Sequence, residues 1–75
     1  MPHVIVKHFP GKSEQEKARL ARKITEDIVE IFNFGEETVS VALEEVDPQD
    51  WREKVVKTEI APNLAKLYKK PGYPV

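Results

Sequence analysis

Cysteine is absent from the 75 residues, so no disulfide staples the fold, no thiolate-rich metal site forms and no thiol nucleophile exists. His3 and His8 are the only histidines; they fall short of a four-ligand structural zinc site, and their odd separation sends them to opposite faces of an extended segment. No metal is expected. No apolar run approaches the roughly 20 residues that a membrane helix needs, and the amino terminus lacks the basic-then-apolar pattern of a signal peptide, so a cytoplasmic protein is expected. Charge of one sign is also missing: 12 Lys and Arg against 13 Asp and Glu leave a net charge of -1. That balance offers no footprint for a phosphate backbone or an anionic membrane.

Length sets a further limit. A chain of this size buries only about 60% of the surface that its unfolded form exposes, which leaves one marginal core. With disulfides and metals excluded, association with further copies is the remaining source of buried area. One domain spanning residues 1–75, functioning as a homo-oligomer, is the expectation.

Residues Pro2 to Phe9 carry β-branched Val4, Ile5 and Val6 and read as a strand, closed by Pro10-Gly11. Ser13 with Glu16 fits a capping box, after which Leu20, Ala21, Ile24, Ile28, Ile31 and Phe32 recur at helical steps. The opposite face, Lys17 included, reads as solvated, and Asn33 with Gly35 supplies a left-handed stop. Alternation returns from Thr38 to Val46, with Val39, Val41, Leu43 and Glu45 on one parity. Asp47-Pro48 is an N-cap followed by a first helical position, and Trp51, Val55, Leu64, Leu67 and Tyr68 form its apolar stripe. Pro62 predicts a kink or a split into two short helices, and the tail from Lys70 to Pro74 is not helical. Strand, helix and strand with short links make a parallel pair joined by a crossover, so the fold class is α/β, a single βαβ subunit with short C-terminal helices.

No Gly-rich phosphate loop, nucleophile elbow or helical pair of metal-binding histidines is present. What remains is the amino terminus. Trimming of Met1 would leave Pro2 as a free secondary amine at the start of a strand. An α-amino group has a reference pKa of about 8, and an apolar pocket with a nearby cation brings it toward neutrality, where a general base works best. Proline at the second position by itself marks only a processed terminus. An untrimmed chain would carry an amide there instead of a base, with the methionine side chain expected to crowd the site.

Met1-Pro2-His3, the Phe9-Pro10 step, Pro10-Gly11-Lys12-Ser13, Trp51, Glu59-Ile60-Ala61-Pro62 and Lys69-Lys70-Pro71-Gly72-Tyr73 together resemble the 4-oxalocrotonate tautomerase family. Within it the pattern is closest to the bacterial phenylpyruvate-type branch, and the resemblance covers nearly the whole chain. It implies a βαβ subunit whose sheet is extended by partner strands, an amino-terminal proline base, no cofactor, and keto-enol isomerisation of small 2-oxo acids such as phenylpyruvate. Lys12 falls where the family has a helix-leading arginine that binds substrate carboxylate; it keeps the charge but loses the planar fork. Ser40 falls on the family's second arginine and brings no charge. Trp51 falls on the pocket aromatic and suits a ring-bearing monocarboxylate. The Pro-Gly-Tyr ending resembles the dimeric branch, so a homodimer is favoured over a hexamer. Two rivals stand beside this reading. A hydratase or dehalogenase of the same superfamily leans on paired arginines that this chain lacks, and a non-catalytic oligomeric binding module would leave ketonisation at the buffer rate.

Overall fold

The computed structural model describes all 75 residues and runs β1 (His3–His8), α1 (Glu14–Phe32), a 3₁₀ turn (Glu36–Thr38), β2 (Ser40–Glu45) and then a C-terminal helical segment. The chain divides into two compact units, Met1–Glu45 and Val46–Val75. The first is the βαβ unit that the pattern predicts, with β1 and β2 parallel and in register from His3 opposite Ser40 to His8 opposite Glu45. Each strand is shorter at its ends than the alternation suggests. Pro2 has no N–H to give to a ladder, and Thr38 closes the 3₁₀ turn with its N–H and its hydroxyl both bonded to the Gly35 carbonyl.

Register sorts the side chains into two faces. Val4 and Val6 share one face with Val41 and Leu43, all half-buried, whereas His3, Ile5 and Lys7 lie opposite Ser40, Ala42 and Glu44 on the other. Helix α1 covers the first face. Ala21, Thr25 and Val29 line an open cleft of about 580 Å³ together with Val41, and Lys17 Nζ reaches Glu45 Oε2 at 3.2 Å.

Both ends of α1 form as the sequence predicts. Glu16 N–H donates to Ser13 Oγ at 3.1 Å and Ser13 N–H donates to Glu16 Oε1 at 2.9 Å, so two orphan donors of the first turn are satisfied reciprocally. The Ser13 N–H first, and its hydroxyl second, hold the Glu16 carboxyl below the usual carboxylate range, with Lys12 adding in the same direction. At the other end Asn33 takes the left-handed conformation, φ 60° and ψ 38°, and its N–H bonds the Val29 carbonyl. Gly35 is extended, at φ -71°, so Asn33 alone makes the stop. Gly11 is the position that does require glycine, with φ 113° in the turn between β1 and α1.

Lys17 departs from its expected solvated face. Its side chain is only 21% exposed, shared between Glu14 and Glu45, and these carboxylates, Glu45 first, raise its pKa. The apolar stripe of α1 is sheltered along its middle, at Ala21, Ile24 and Ile28. It ends in the open, with Ile31 73% and Phe32 62% exposed, and Phe32 packs edge-to-face with Phe34 at 6.1 Å between ring centroids.

The second unit is a helical path whose hydrogen bonding changes pitch twice. It opens as α2 (Pro48–Trp51), continues with π-type bonding over Arg52–Ile60 and tightens to 3₁₀ over Ala61–Lys66. Asp47 holds the N-cap position, although its carbonyl and not its side chain accepts, from Asp50 N–H at 2.9 Å. Pro62 accounts for the pitch change. In an α-helix its ring would meet the Thr58 carbonyl and its missing N–H would leave that group bare. Here Ala61 N–H reaches back to Val56, and the helix turns the corner at Asn63, φ -114° and ψ 17°, as one kinked element. Thr58 Oγ1 and Asn63 Nδ2 bond the carbonyls of Lys54 and Glu59 at 2.6 and 3.0 Å, as polar side chains do where a helix ladder is disturbed.

The wide turns also shift the apolar phase. Val55 and Val56, adjacent in sequence, are the two buried residues, at 5% and 3% exposure. Tyr68 leaves the expected stripe and stands fully in solvent, because Leu67 is already extended and the helix has ended. No helix is long and apolar enough to cross a membrane.

Candidate active site

A parallel pair sets the starts of both strands side by side. This brings Pro2 to Ser40: the Ser40 N–H donates to the Pro2 carbonyl at 3.1 Å, and Pro2 is half-buried at the mouth of the sheet. The same register sets His3 against Ser40, with His3 Nδ1 2.6 Å from Ser40 Oγ. Ser40 thus grips the start of the chain twice, Pro2 through its backbone and His3, the first residue of β1, through its hydroxyl. Met1 is attached, so the Pro2 nitrogen here is an amide. Met1 itself is 90% exposed.

Lys12 is not brought to this end. It leads α1 at the far end of β1, where Lys17 of the same helix reaches Glu45, the last residue of β2. A six-residue strand spans about 20 Å, so Lys12 and Pro2 of one chain stand at opposite ends of the sheet. Lys12 is exposed, with its charge close enough to Glu16 to act on that carboxyl. Trp51 closes α2 in the second unit, half-buried, and its Nε1–H donates to Tyr73 Oη at 3.1 Å.

Two of these partners escaped sequence reading. His3 reads only as a structural or surface histidine, and only the strand register pairs it with Ser40; a parallel crossover with equal strand offsets is the signal that would have found it. Tyr73 reads as part of a C-terminal signature, and its 22-residue separation from Trp51 carries no periodic trace. No group of three or more His, Cys, Asp or Glu side chains is placed to hold a metal ion.

A model of the tautomerase enzyme family matches residues 2–57. The chain belongs to the tautomerase family. It is 47% identical over 74 residues to Tautomerase PptA of Enterobacter sp. (strain 638), covering 97% of both chains. It is 43% identical over 74 residues to Tautomerase PptA of Escherichia coli (strain SMS-3-5 / SECEC), again with 97% of each covered. Among solved structures it resembles TomN, a 4-oxalocrotonate tautomerase homologue in the tomaymycin biosynthetic pathway, with a TM-score of 0.65 and 31% identity over 85% of this chain and 95% of that one. YwhB, another homologue of 4-oxalocrotonate tautomerase, aligns with a TM-score of 0.60 and 35% identity over 61% of this chain and 75% of that one. As a member of this family the chain is an isomerase, a tautomerase, and its βαβ core is the family's fold.

Proposed function

We propose that residues 1–75 act as one tautomerase domain, cytoplasmic and cofactor-independent, which ketonises the enol of a 2-oxo acid such as phenylpyruvate with Pro2 as general base. The observation that carries this reading is the anchoring of Pro2. Its carbonyl is tied to Ser40 N–H at 3.1 Å, so the nitrogen freed by removal of Met1 would sit on a fixed frame and not on a fraying end. That nitrogen takes the enol hydroxyl proton as the oxygen becomes a carbonyl, and it returns a proton to the adjacent carbon. Nothing is gained or lost overall, and no cofactor enters the balance.

Lys12 and backbone N–H donors hold the substrate carboxylate, Ser40 supplies a neutral hydroxyl where a dicarboxylate enzyme would need charge, and Trp51 receives the substrate's ring. Because Lys12 stands about a strand length from Pro2 of its own chain, the Lys12 that serves Pro2 comes from a second copy. A homodimer in which strands of two chains pair in opposite directions supplies it; a hexamer is the runner-up. Two features favour association. A two-stranded sheet has an open edge on each strand and is marginal alone, and Ile31 and Phe32 are left largely exposed.

Ultraviolet absorbance of enol phenylpyruvate tests the proposal. The trimmed chain should accelerate ketonisation, and both Pro2→Ala and a chain retaining Met1 should lose a factor of about 10²–10⁴. Equal rates with and without Met1, at matched oligomeric state, would remove Pro2 from the mechanism.

A further inference from the structure

The bond between Trp51 and Tyr73 has no part in the proton chemistry above. An indole carries one donor and no acceptor, and here that donor meets the Tyr73 hydroxyl at 3.1 Å. The two residues come from different kinds of backbone, the end of helix α2 and the extended tail. Trp51 is half-buried and Tyr73 is 46% exposed, so the bond lies near the surface. The terminal torsion of a tryptophan side chain is broad, and a hydrogen bond at the ring nitrogen narrows it by fixing which edge of the indole points toward the tail.

We propose that Tyr73 is a positioning residue: by holding the indole nitrogen of Trp51 it sets the plane of the ring, and with it the preference for ring-bearing over ringless 2-oxo acid enols. This rests on the reading of Trp51 as the group that meets the substrate's ring. Stacking depends on ring offset and tilt, so an indole that loses this bond at its ring nitrogen loses part of each contact with an aromatic substrate and little with a ringless one. The tyrosine acts through tryptophan and takes no part in moving protons, so its effect falls on aromatic binding and not on turnover.

Tyr73→Phe tests this, since it keeps the ring and removes only the hydroxyl. Trp51 is the only tryptophan, so its fluorescence reports the bond directly; in the variant the emission should broaden and move to longer wavelength as water replaces the hydroxyl. With trimmed protein of confirmed oligomeric state, KM for enol phenylpyruvate should rise about three- to tenfold, the scale of one net hydrogen bond, with kcat close to wild type. KM for a ringless dienol 2-hydroxy acid should stay where it was. An equal rise for both substrates would reduce Tyr73 to a tail anchor, and an unchanged KM ratio despite altered emission would overturn the proposal. Trp51→Ala separates the two layers. If it leaves the aromatic preference intact, the role given to Trp51 fails; if it abolishes the preference while Tyr73→Phe does not, only the role of Tyr73 fails.

Discussion

Replacing Ser13 by alanine strikes the joint between chemistry and fold, because Ser13 both caps α1 and follows Lys12. The substitution removes the acceptor at 3.1 Å from Glu16 N–H but leaves the Ser13 backbone donor that bonds Glu16 Oε1 at 2.9 Å. Half of the capping box survives and water can reach the freed N–H, so the loss sits near the middle of the range for such caps, about 1 kcal/mol. For a domain of this size that lowers Tm by about 4–8 °C. Thermal melts followed by circular dichroism, at matched protein concentration because association shifts Tm, measure it.

The acid limb gives a second readout. The folded Glu16 carboxyl is held below its ordinary range, so its contribution is present above the unfolded carboxylate pKa of about 4.3 and is lost as pH falls through the depressed folded value. Without the hydroxyl the depression shrinks, and the stability of Ser13→Ala should depend less on pH below about 4.3. Unchanged Tm at neutral pH together with an unchanged acid limb would refute the capping argument.

Lys17→Met should destabilise the protein at neutral pH and flatten its alkaline limb. The Lys17 pKa is raised by Glu45 and Glu14, so its contribution is present below the unfolded lysine value of about 10.4 and fades only as pH rises through the higher folded value; urea titrations across that range check it. Val56→Ala, at one of the two buried positions, removes two methyl groups and should cost about 2 kcal/mol in urea unfolding, whereas Val75→Ala at the exposed end should cost close to nothing. Ile31→Lys with Phe32→Glu places charge on the exposed end of α1 and should lower the associated mass in light scattering if that patch is an interface; an unchanged mass would locate the interface elsewhere.

Most of the fold was written in local chemistry. The capping box, the β-branched run at Val4 to Val6, the Asp47-Pro48 start and the Pro62 break each act within a few residues, and each forms where the pattern puts it. What was not legible depends on register or on phase. Lys17 reads as a surface charge until the parallel ladder carries Glu45 to the N-terminal turn of α1, and Val56 reads as off the stripe until Pro62 widens the helix before it. The candidate site divides in the same way. Pro2 is visible from sequence because an amino-terminal secondary amine is chemically distinctive, whereas the hold of Ser40 on the Pro2 carbonyl and on His3 is a product of strand alignment alone.

The separation of Lys12 from Pro2 leads to a test that no single variant provides. If Lys12 of one copy completes the site of another, chains carrying Pro2→Ala and chains carrying Lys12→Ala are each weak alone, yet a mixed dimer contains one site with the native proline and the native lysine. Random exchange of subunits makes half of the dimers mixed, with one of two sites intact, so an equimolar mixture should recover about a quarter of wild-type kcat/KM under two-fold symmetry. The mixture must be denatured and refolded together, or incubated until exchange is complete, and assayed at substrate below KM, where loss of the carboxylate contact tells most. If Lys12 served the proline of its own chain, every site in the mixed dimer would carry one defect and mixing would restore nothing. A rate equal to the mean of the two parent variants would therefore break the assignment of Lys12 to a neighbouring site, and leave its charge as part of the solvated start of α1.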